Sequence, residues 1–273
     1  MKKFISMLFT FILILLVLLT TVLLITKNTV LSETYLLKQL EEQSYYEKVE
    51  NNLRENFKSN MLQSGLEESF IEELIDKEKI KNDINGVIGS IYNNTDYTIE
   101  TESIVEKLSA EIEETLDTRG KILTEEDEES INRFLKTMSN VYVNEIVLIE
   151  GSQDVLKDIV SVINEYINIV IIILIVTIVV FLILMVILNR NISFLGRVLF
   201  ANALLILFGY MFINWNINVN NILMFTESFS NTLGVVASKY MNVYLYIAIL
   251  YFIIGIVIPI LSENIGKKKV SKH

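Results

Sequence analysis

The sequence predicts an all-α membrane protein with four transmembrane helices and a helical-bundle extracytoplasmic domain between spans 1 and 2. Three observations predict this class. Hydrophobic residues make up 52% of the 273 residues and concentrate in four long blocks, as expected of segments solvated by lipid. Acidic residues concentrate between the first two blocks, and basic residues concentrate in the short pieces that flank the blocks.

Each block is long enough to cross the membrane, since a helix needs about 20 apolar residues to span about 30 Å of hydrocarbon. The predicted divisions are transmembrane helix 1 at 1–26, an acidic helical extracytoplasmic domain at 27–165, transmembrane helix 2 at 166–188, transmembrane helix 3 at 194–214, an outer loop with an amphipathic helix at 216–239, transmembrane helix 4 at 240–261 and a basic cytoplasmic tail at 262–273. A cleaved signal peptide competes for the first block. We favour an uncleaved anchor, because the apolar run is long and no A-x-A-like cleavage site follows it.

Basic residues predict the orientation, because short cytoplasmic segments carry an excess of Lys and Arg. They occur before span 1, between spans 2 and 3, and after span 4: Lys2, Lys3, Arg190, Arg197, Lys267, Lys268, Lys269 and Lys272. Four spans place these three segments on one side. We therefore expect a multi-pass protein of the cell membrane with both termini cytoplasmic and residues 27–165 outside.

Charge and residue usage exclude several function classes. Residues 27–165 hold 31 acids and 14 bases, a net charge of −17, which would repel the phosphates of nucleic acid. The chain has no Cys, and its one histidine is His273. Thiol chemistry, disulfides and Cys-based metal sites are therefore excluded, and a catalytic His is nearly so. We predict no catalytic, cofactor-binding or metal-ligating residue and no cofactor.

Apolar residues in the acidic segment recur at three- and four-residue spacing, which predicts helices. The four stripes comprise Leu36, Leu40, Val49 and Leu53; Ile71, Leu74, Ile75, Ile80, Ile84, Val87, Ile88 and Ile91; Ile104, Val105, Leu108, Ile112 and Leu116; and Ile131, Phe134, Leu135, Met138, Val141 and Tyr142. Ser64–Glu67 and Thr124–Asp127 read as capping boxes. We expect the first and last helices to extend spans 1 and 2. Val141–Ile149 is ambiguous between helix and strand.

The loop between spans 3 and 4 carries apolar residues at spacings of three and four: Ile222, Phe225, Phe229, Leu233 and Val236. This spacing places them on one helical face. We predict an amphipathic helix that lies on the outer leaflet or against the helical bundle. A buried re-entrant segment is the alternative.

Several polar groups suggest chemistry, but each also has a structural interpretation. Glu125–Glu129 and Asp83–Gly86 offer carboxylates for calcium, yet lack the spaced ligands of a calcium loop. We favour a helix cap for the first and a close helix contact at Gly86 for the second. Glu68 and Glu72 share the spacing of an acid–base pair, which an acid-rich segment produces by chance.

Inside the spans, Asn202 is the one polar amide far from a helix end. We favour a hydrogen bond between helices for it over part of a polar pore. Tyr251 and Gly255 are interpreted as packing residues. The span centres contain no Asp, Glu, Lys or His, whereas ion-coupled carriers place such groups there.

The segments Ser44–Tyr46, Ser64–Leu66 and Asp76–Tyr92 resemble those of a loose group of uncharacterised four-span membrane proteins from low-GC Gram-positive bacteria. That resemblance implies a helical extracytoplasmic domain and brings no activity or functional residue. In layout alone, the chain also resembles permeases of the cell-division and macrolide-export type. Those permeases need cytoplasmic surface to engage an ATPase, and here the cytoplasmic pieces are short.

We therefore expect a non-enzymatic integral membrane protein whose outer helical domain binds a partner or senses a surface condition. Its partners would be the lipid bilayer and a protein at the outer surface or within the membrane. The alternative is a subunit of a membrane transporter or permease-like complex. A membrane enzyme is the least favoured class.

Overall fold

Ten helices make up the regular structure of the part of the chain that the structure describes. This computed structural model describes residues 2–62, 66, 70–120, 123–147, 153–189, 192–216 and 227–270. The helices are α1 (Lys2–Asn28), α2 (Glu33–Glu42), α3 (Tyr45–Met61), α4 (Ile71–Leu74), α5 (Lys77–Asn93), α6 (Glu102–Arg119), α7 (Glu125–Ile146), α8 (Gln153–Asn189), α9 (Ser193–Asn216) and α10 (Glu227–Val270). The all-helical class is confirmed over these ranges, which contain no strand.

Four helices are long and apolar enough to cross a membrane. The qualifying stretches are Lys3–Asn28 in α1, Asp154–Ile187 in α8, Ser193–Trp215 in α9 and Phe229–Ser262 in α10. Most of the side chains in these stretches are not buried against protein. An apolar surface of that extent is typical of helices solvated by hydrocarbon.

The chain divides into two compact units. The polar unit comprises Leu36–Ser161 and Asn220–Leu233, and the apolar unit comprises Met1–Tyr35, Val162–Val219 and Gly234–His273. Within the polar unit, α3 packs against α4, α5 and α7, and α7 also packs against α5 and α6. The predicted apolar stripes supply much of its core, including Leu40, Val49, Leu53, Ile84, Ile88, Leu108 and Met138.

Two of the predicted helices are each broken once. The stripe from Leu36 to Leu53 was expected to line one helix, but α2 ends at Glu42 and α3 starts at Tyr45. Ser44 between them has φ 51° and ψ 37°, a left-handed conformation that ends a helix. The second stripe breaks at Asp76, whose carboxylate accepts hydrogen bonds from the backbone N–H groups of Glu78 and Lys79 and so caps α5.

The capping box at the start of α7 is confirmed. The Thr124 hydroxyl accepts from the backbone N–H of Asp127, whose carboxylate accepts from the backbone N–H of Thr124. Helix α7 continues to Ile146, so the strand alternative for Val141–Ile149 is wrong as far as Ile146. Residues 148 and 149 lie outside the described residues. So does the capping box predicted at Ser64–Glu67, of which only Leu66 is described.

The last helix of the polar segment runs into the second apolar stretch without interruption as α8, 37 residues long. The first helix of the polar segment, α2, does not extend span 1 as predicted. Helix α1 ends at Asn28, and a short turn precedes α2. The amphipathic stretch before span 4 is not a separate helix in its described part. It forms the start of α10, which begins at Glu227 and continues to Val270. Ile222 and Phe225 lie outside the described residues.

Close helix contacts hold the apolar unit together. Leu13 of α1 is fully buried with Met185, Phe194 and Val198 from α8 and α9. A Cβ added at Gly255 of α10 would lie 2.8 Å from the backbone nitrogen of Phe200 in α9. Glycine is therefore required for this close approach, as is common where apolar helices pack in membranes, and the predicted packing interpretation of Gly255 agrees with it.

Candidate functional site

Asp83 is the buried charged centre of the polar unit. It lies on α5 with only 4% of its surface exposed. Its carboxylate accepts hydrogen bonds from the hydroxyls of Tyr97 and Tyr142, each at 2.6 Å, and pairs with Lys79 at 3.1 Å. Both carboxylate oxygens therefore have strong partners, which compensates for removing the charge from water. The cluster joins α5, α7 and the segment before α6.

The two phenols at Asp83 donate hydrogen bonds to its carboxylate. Burial, followed by the hydrogen bond to Asp83, raises the pKa of Tyr97 to about 12 and raises the pKa of Tyr142 further. Ionising either phenol would place a second negative charge beside the carboxylate. Both therefore stay protonated near neutral pH, and their hydrogen bonds hold α5, α7 and the segment before α6 together.

Gly86 lies one turn after Asp83 and accommodates the Tyr97 ring. A Cβ added at Gly86 would lie 2.3 Å from two ring carbons of Tyr97, a distance that real Cβ atoms do not reach. The predicted close contact at Gly86 is thus present, but its partner is a loop tyrosine rather than a helix. Asn85 accepts a hydrogen bond from the Tyr46 hydroxyl at 2.7 Å, so the Asp83–Gly86 segment serves packing rather than a calcium loop.

The start of α10 supplies an aromatic side chain to the core of the polar unit. Phe229 is 4% exposed, and its ring lies edge-on to Tyr45, with centroids 5.6 Å apart. Tyr45 is fully buried at the start of α3, directly after the left-handed Ser44. Leu233 also packs against this core. Two chain segments far apart in sequence therefore share one core.

Hydroxyl pairs join the helices of the apolar unit. Thr21 of α1 and Tyr251 of α10 are hydrogen-bonded at 2.8 Å, and Thr26 lies 3.2 Å from the hydroxyl of Tyr240. Tyr240 is also bonded to Tyr244 at 2.6 Å. Tyr251 thus forms a hydrogen bond between helices in addition to packing. Such bonds strengthen contacts between apolar helices, each by about 1 kcal/mol.

Asn202 does not form the interhelical hydrogen bond that was predicted. Its amide nitrogen donates to the carbonyl of Val198, one turn earlier in α9, at 2.9 Å. The side chain is fully buried, and its amide oxygen has no hydrogen-bond partner among the described residues.

The other acidic residues considered in the sequence for calcium binding or acid–base chemistry do not form a shared site among the described residues. Glu125–Glu128 form the first turn of α7, as expected of a capped helix. Glu72 pairs with Arg54, whereas its predicted companion Glu68 lies outside the described residues. Within the described ranges, no three His, Asp or Glu side chains are grouped so as to hold a metal ion.

Glu145 on α7 is a half-buried carboxyl whose pKa is perturbed. Burial raises the pKa of Glu145, while hydrogen bonds from the amides of Asn52 and Asn56 oppose the rise. The amide nitrogen of Asn56 lies 2.7 Å from the Glu145 carboxylate. This site could not be predicted from the sequence, because it depends on α3 packing against α7. The bonds from Asn52 and Asn56 of α3 to Glu145 of α7 join these two helices.

No protein-family model, curated protein or solved structure matches this chain. The structure itself defines the class. This is an all-helical protein with four helices long and apolar enough to cross a membrane and a polar helical unit with a core of its own.

Proposed function

We propose that this chain is a non-enzymatic integral membrane protein whose polar unit lies outside the cell and binds a partner or senses a surface condition. The observation that carries the proposal is the distribution of structured mass. The polar unit has its own core, drawn from α2 to α7 and the ends of two longer helices. The segment that connects α8 to α9 is short by comparison. Recognition is therefore assigned to the polar unit.

The charge distribution supports this orientation. The acidic residues concentrate in the polar unit, while the basic residues outside it lie before span 1, around the connection of α8 to α9, and after span 4. An arrangement with the polar unit inside would reverse the usual excess of Lys and Arg on the cytoplasmic side. It would also translocate the basic segments, which the positive-inside rule disfavours.

Helix continuity supports a route for output. Helix α8 contributes Leu156 and Val160 to the packing of the polar core and continues to Asn189. Helix α10 contributes Phe229 to the same core and continues to Val270. A helix is stiff along its axis, so a partner that shifts either first turn displaces the spanning part of that helix. Output would then be lateral, to another protein in the membrane.

Complementation tests the proposal. A strain lacking this gene is supplied with the full chain or with a chain deleted for residues 40–160, with insertion of both checked by membrane fractionation. We expect the deletion to abolish rescue, because it removes the recognition unit. The Asp96→Ala chain, which alters one fully exposed acid, serves as the matched control and should rescue. Full rescue by the deleted chain would contradict the proposal.

A transporter or permease-like subunit remains the second candidate, and Asn202 is the observation that favours it. Its amide oxygen is buried and has no hydrogen-bond partner among the described residues, and a buried polar atom of this kind is usually bonded to water or a polar solute. The described parts of the apolar unit offer hydroxyl groups such as Thr21 and Tyr251, but these already bond each other. Co-purification of a nucleotide-binding subunit with the full chain would favour this candidate over the first.

A further inference from the structure

A short stretch at the start of α10 belongs to the polar unit, although most of this helix does not. Within the described residues, the polar unit includes α10 only as far as Leu233. Phe229 and Ser230 are 4% and 7% exposed, and Leu233 packs against the same core. Val235, two residues further on, is already 44% exposed. The attachment of α10 to the polar core therefore lies in residues 229–233, which we call the α10 latch.

The ring of Phe229 is the first of three aromatic rings in edge-to-face contact. Its centroid lies 5.6 Å from that of Tyr45, and the Tyr45 centroid lies 6.2 Å from that of Tyr46. Contacts of this geometry add to the stabilisation that burial gives. The Tyr46 hydroxyl donates to Asn85 of α5 at 2.7 Å. The three rings thus connect the latch to α5, the helix that also carries the buried Asp83.

The position of Tyr45 depends on a strained residue. Ser44 has φ 51° and ψ 37°, in the left-handed region that is unfavourable for residues other than glycine. Directly after it, Tyr45 and Tyr46 are both buried in the core. Strain of this kind persists only where the surrounding contacts hold it. Phe229 supplies one of these contacts, because it packs on the residue that follows Ser44.

The rest of the polar core is held by many more buried side chains than the latch is. Helix α3 packs against α5 and α7, and α5 packs against α7, with Leu53, Ile84 and Met138 among the side chains buried between them. The apolar side chains that hold the latch are those of Phe229 and Leu233. A segment with few buried contacts opens at a lower free energy than a central helix, which opens only when the whole unit unfolds.

We propose that the α10 latch is a conformational device: Phe229 leaves its place beside Tyr45 while the remainder of the polar unit stays folded. Helix α10 continues from the latch to Val270 and includes a membrane-length apolar stretch. Release therefore frees the start of a helix that has a spanning part. The inference rests on the proposed function in one respect, since a partner that binds the released state more tightly would shift the chain toward it.

Thiol labelling of the full chain in its native membrane measures release, since the chain has no Cys. Ser230→Cys places a probe in the latch, and Ser90→Cys places one on α5, where the serine is 3% exposed. Each labelling rate is divided by the rate of the same variant unfolded in urea. We expect Ser230→Cys to be labelled at least about 100-fold faster than Ser90→Cys after this correction. Equal rates would overturn the proposal, because the latch would then open only with the whole unit.

A substitution in the latch separates its release from direct access of the reagent. Phe229→Leu leaves a smaller side chain beside Tyr45, so release should become easier and the labelling of Ser230→Cys should rise by about tenfold. If Phe229→Leu left that labelling rate unchanged, the reagent would reach residue 230 without release of Phe229, and the latch would be refuted.

Tyr142→Phe is the matched substitution away from the latch. It removes a hydroxyl that donates to Asp83 at 2.6 Å, a contact that persists when the latch alone opens. We expect Tyr142→Phe to speed labelling of Ser90→Cys by about tenfold and to leave that of Ser230→Cys within about twofold. Equal acceleration of both probes would contradict the proposal. No partner is added in these measurements, so the latch can fail while the recognition role of the polar unit stands.

Discussion

Replacement of Asp83 by alanine is expected to destabilise the polar unit by about 2–4 kcal/mol, somewhat less than the loss of one partner from a fully buried ion pair, because the Lys79 side chain is 24% exposed. The change leaves Lys79 without its buried counter-charge and leaves the hydroxyls of Tyr97 and Tyr142 without their acceptor. The buried hydroxyl of Tyr142, once unsatisfied, costs about 1–3 kcal/mol, whereas Tyr97 is 40% exposed and can bond to water instead. These groups act as a unit, so their separate contributions do not add.

The loss can be measured in the full chain by thiol labelling. Ser90→Cys places a probe that is 3% exposed inside the polar unit, and its labelling across a urea series reports unfolding of that unit. Asp96→Ala is the control, because the Asp96 side chain is fully exposed and an exposed ion pair contributes about 0–1 kcal/mol. Similar midpoints for the Asp83→Ala and Asp96→Ala chains would refute the assigned role of Asp83.

Replacement of Phe229 by alanine is expected to destabilise the same unit by about 3–5 kcal/mol, the range for a buried phenylalanine. The ring is 4% exposed and lies against fully buried Tyr45, so its removal leaves a cavity beside the α2–α3 break. A conservative Phe229→Leu change should retain most of this stability. The effect would show that a segment adjoining span 4 is a structural part of the polar unit.

The same Ser90→Cys probe measures this effect. Phe208→Ala is the matched control, since Phe208 is 66% exposed on α9 and its loss creates no cavity in the polar unit. We expect the urea midpoint of the Phe208→Ala chain to equal that of the parent. If Phe229→Ala also left the midpoint unchanged, the start of α10 would not be part of that core.

The sequence was sufficient to predict the helical class and most helix positions because both depend on local periodicity. Lipid-length apolar runs and three- and four-residue spacings are properties of single segments. The cap at Thr124 was predictable for the same reason, since its two hydrogen bonds join residues three apart. The break at Ser44 was not, because serine seldom adopts the left-handed conformation and nothing in its neighbours signals it.

Contacts between segments far apart in the chain could not be predicted from the sequence. Asp83 and Gly86 stood out as unusual residues, but their true partners, Tyr97 and Tyr142, lie 14 and 59 residues away from Asp83. The spacing of Phe229 indicated one helical face without indicating what covers it.

The orientation of the polar unit is the central claim, and thiol labelling of intact cells tests it most directly. Thr98→Cys lies in the exposed segment between α5 and α6, and Ile192→Cys lies in the turn before α9. With a reagent that cannot cross membranes, the account predicts labelling of Thr98→Cys in intact cells and of Ile192→Cys only after the cells are opened. Labelling of Ile192→Cys in intact cells, with Thr98→Cys protected, would contradict it.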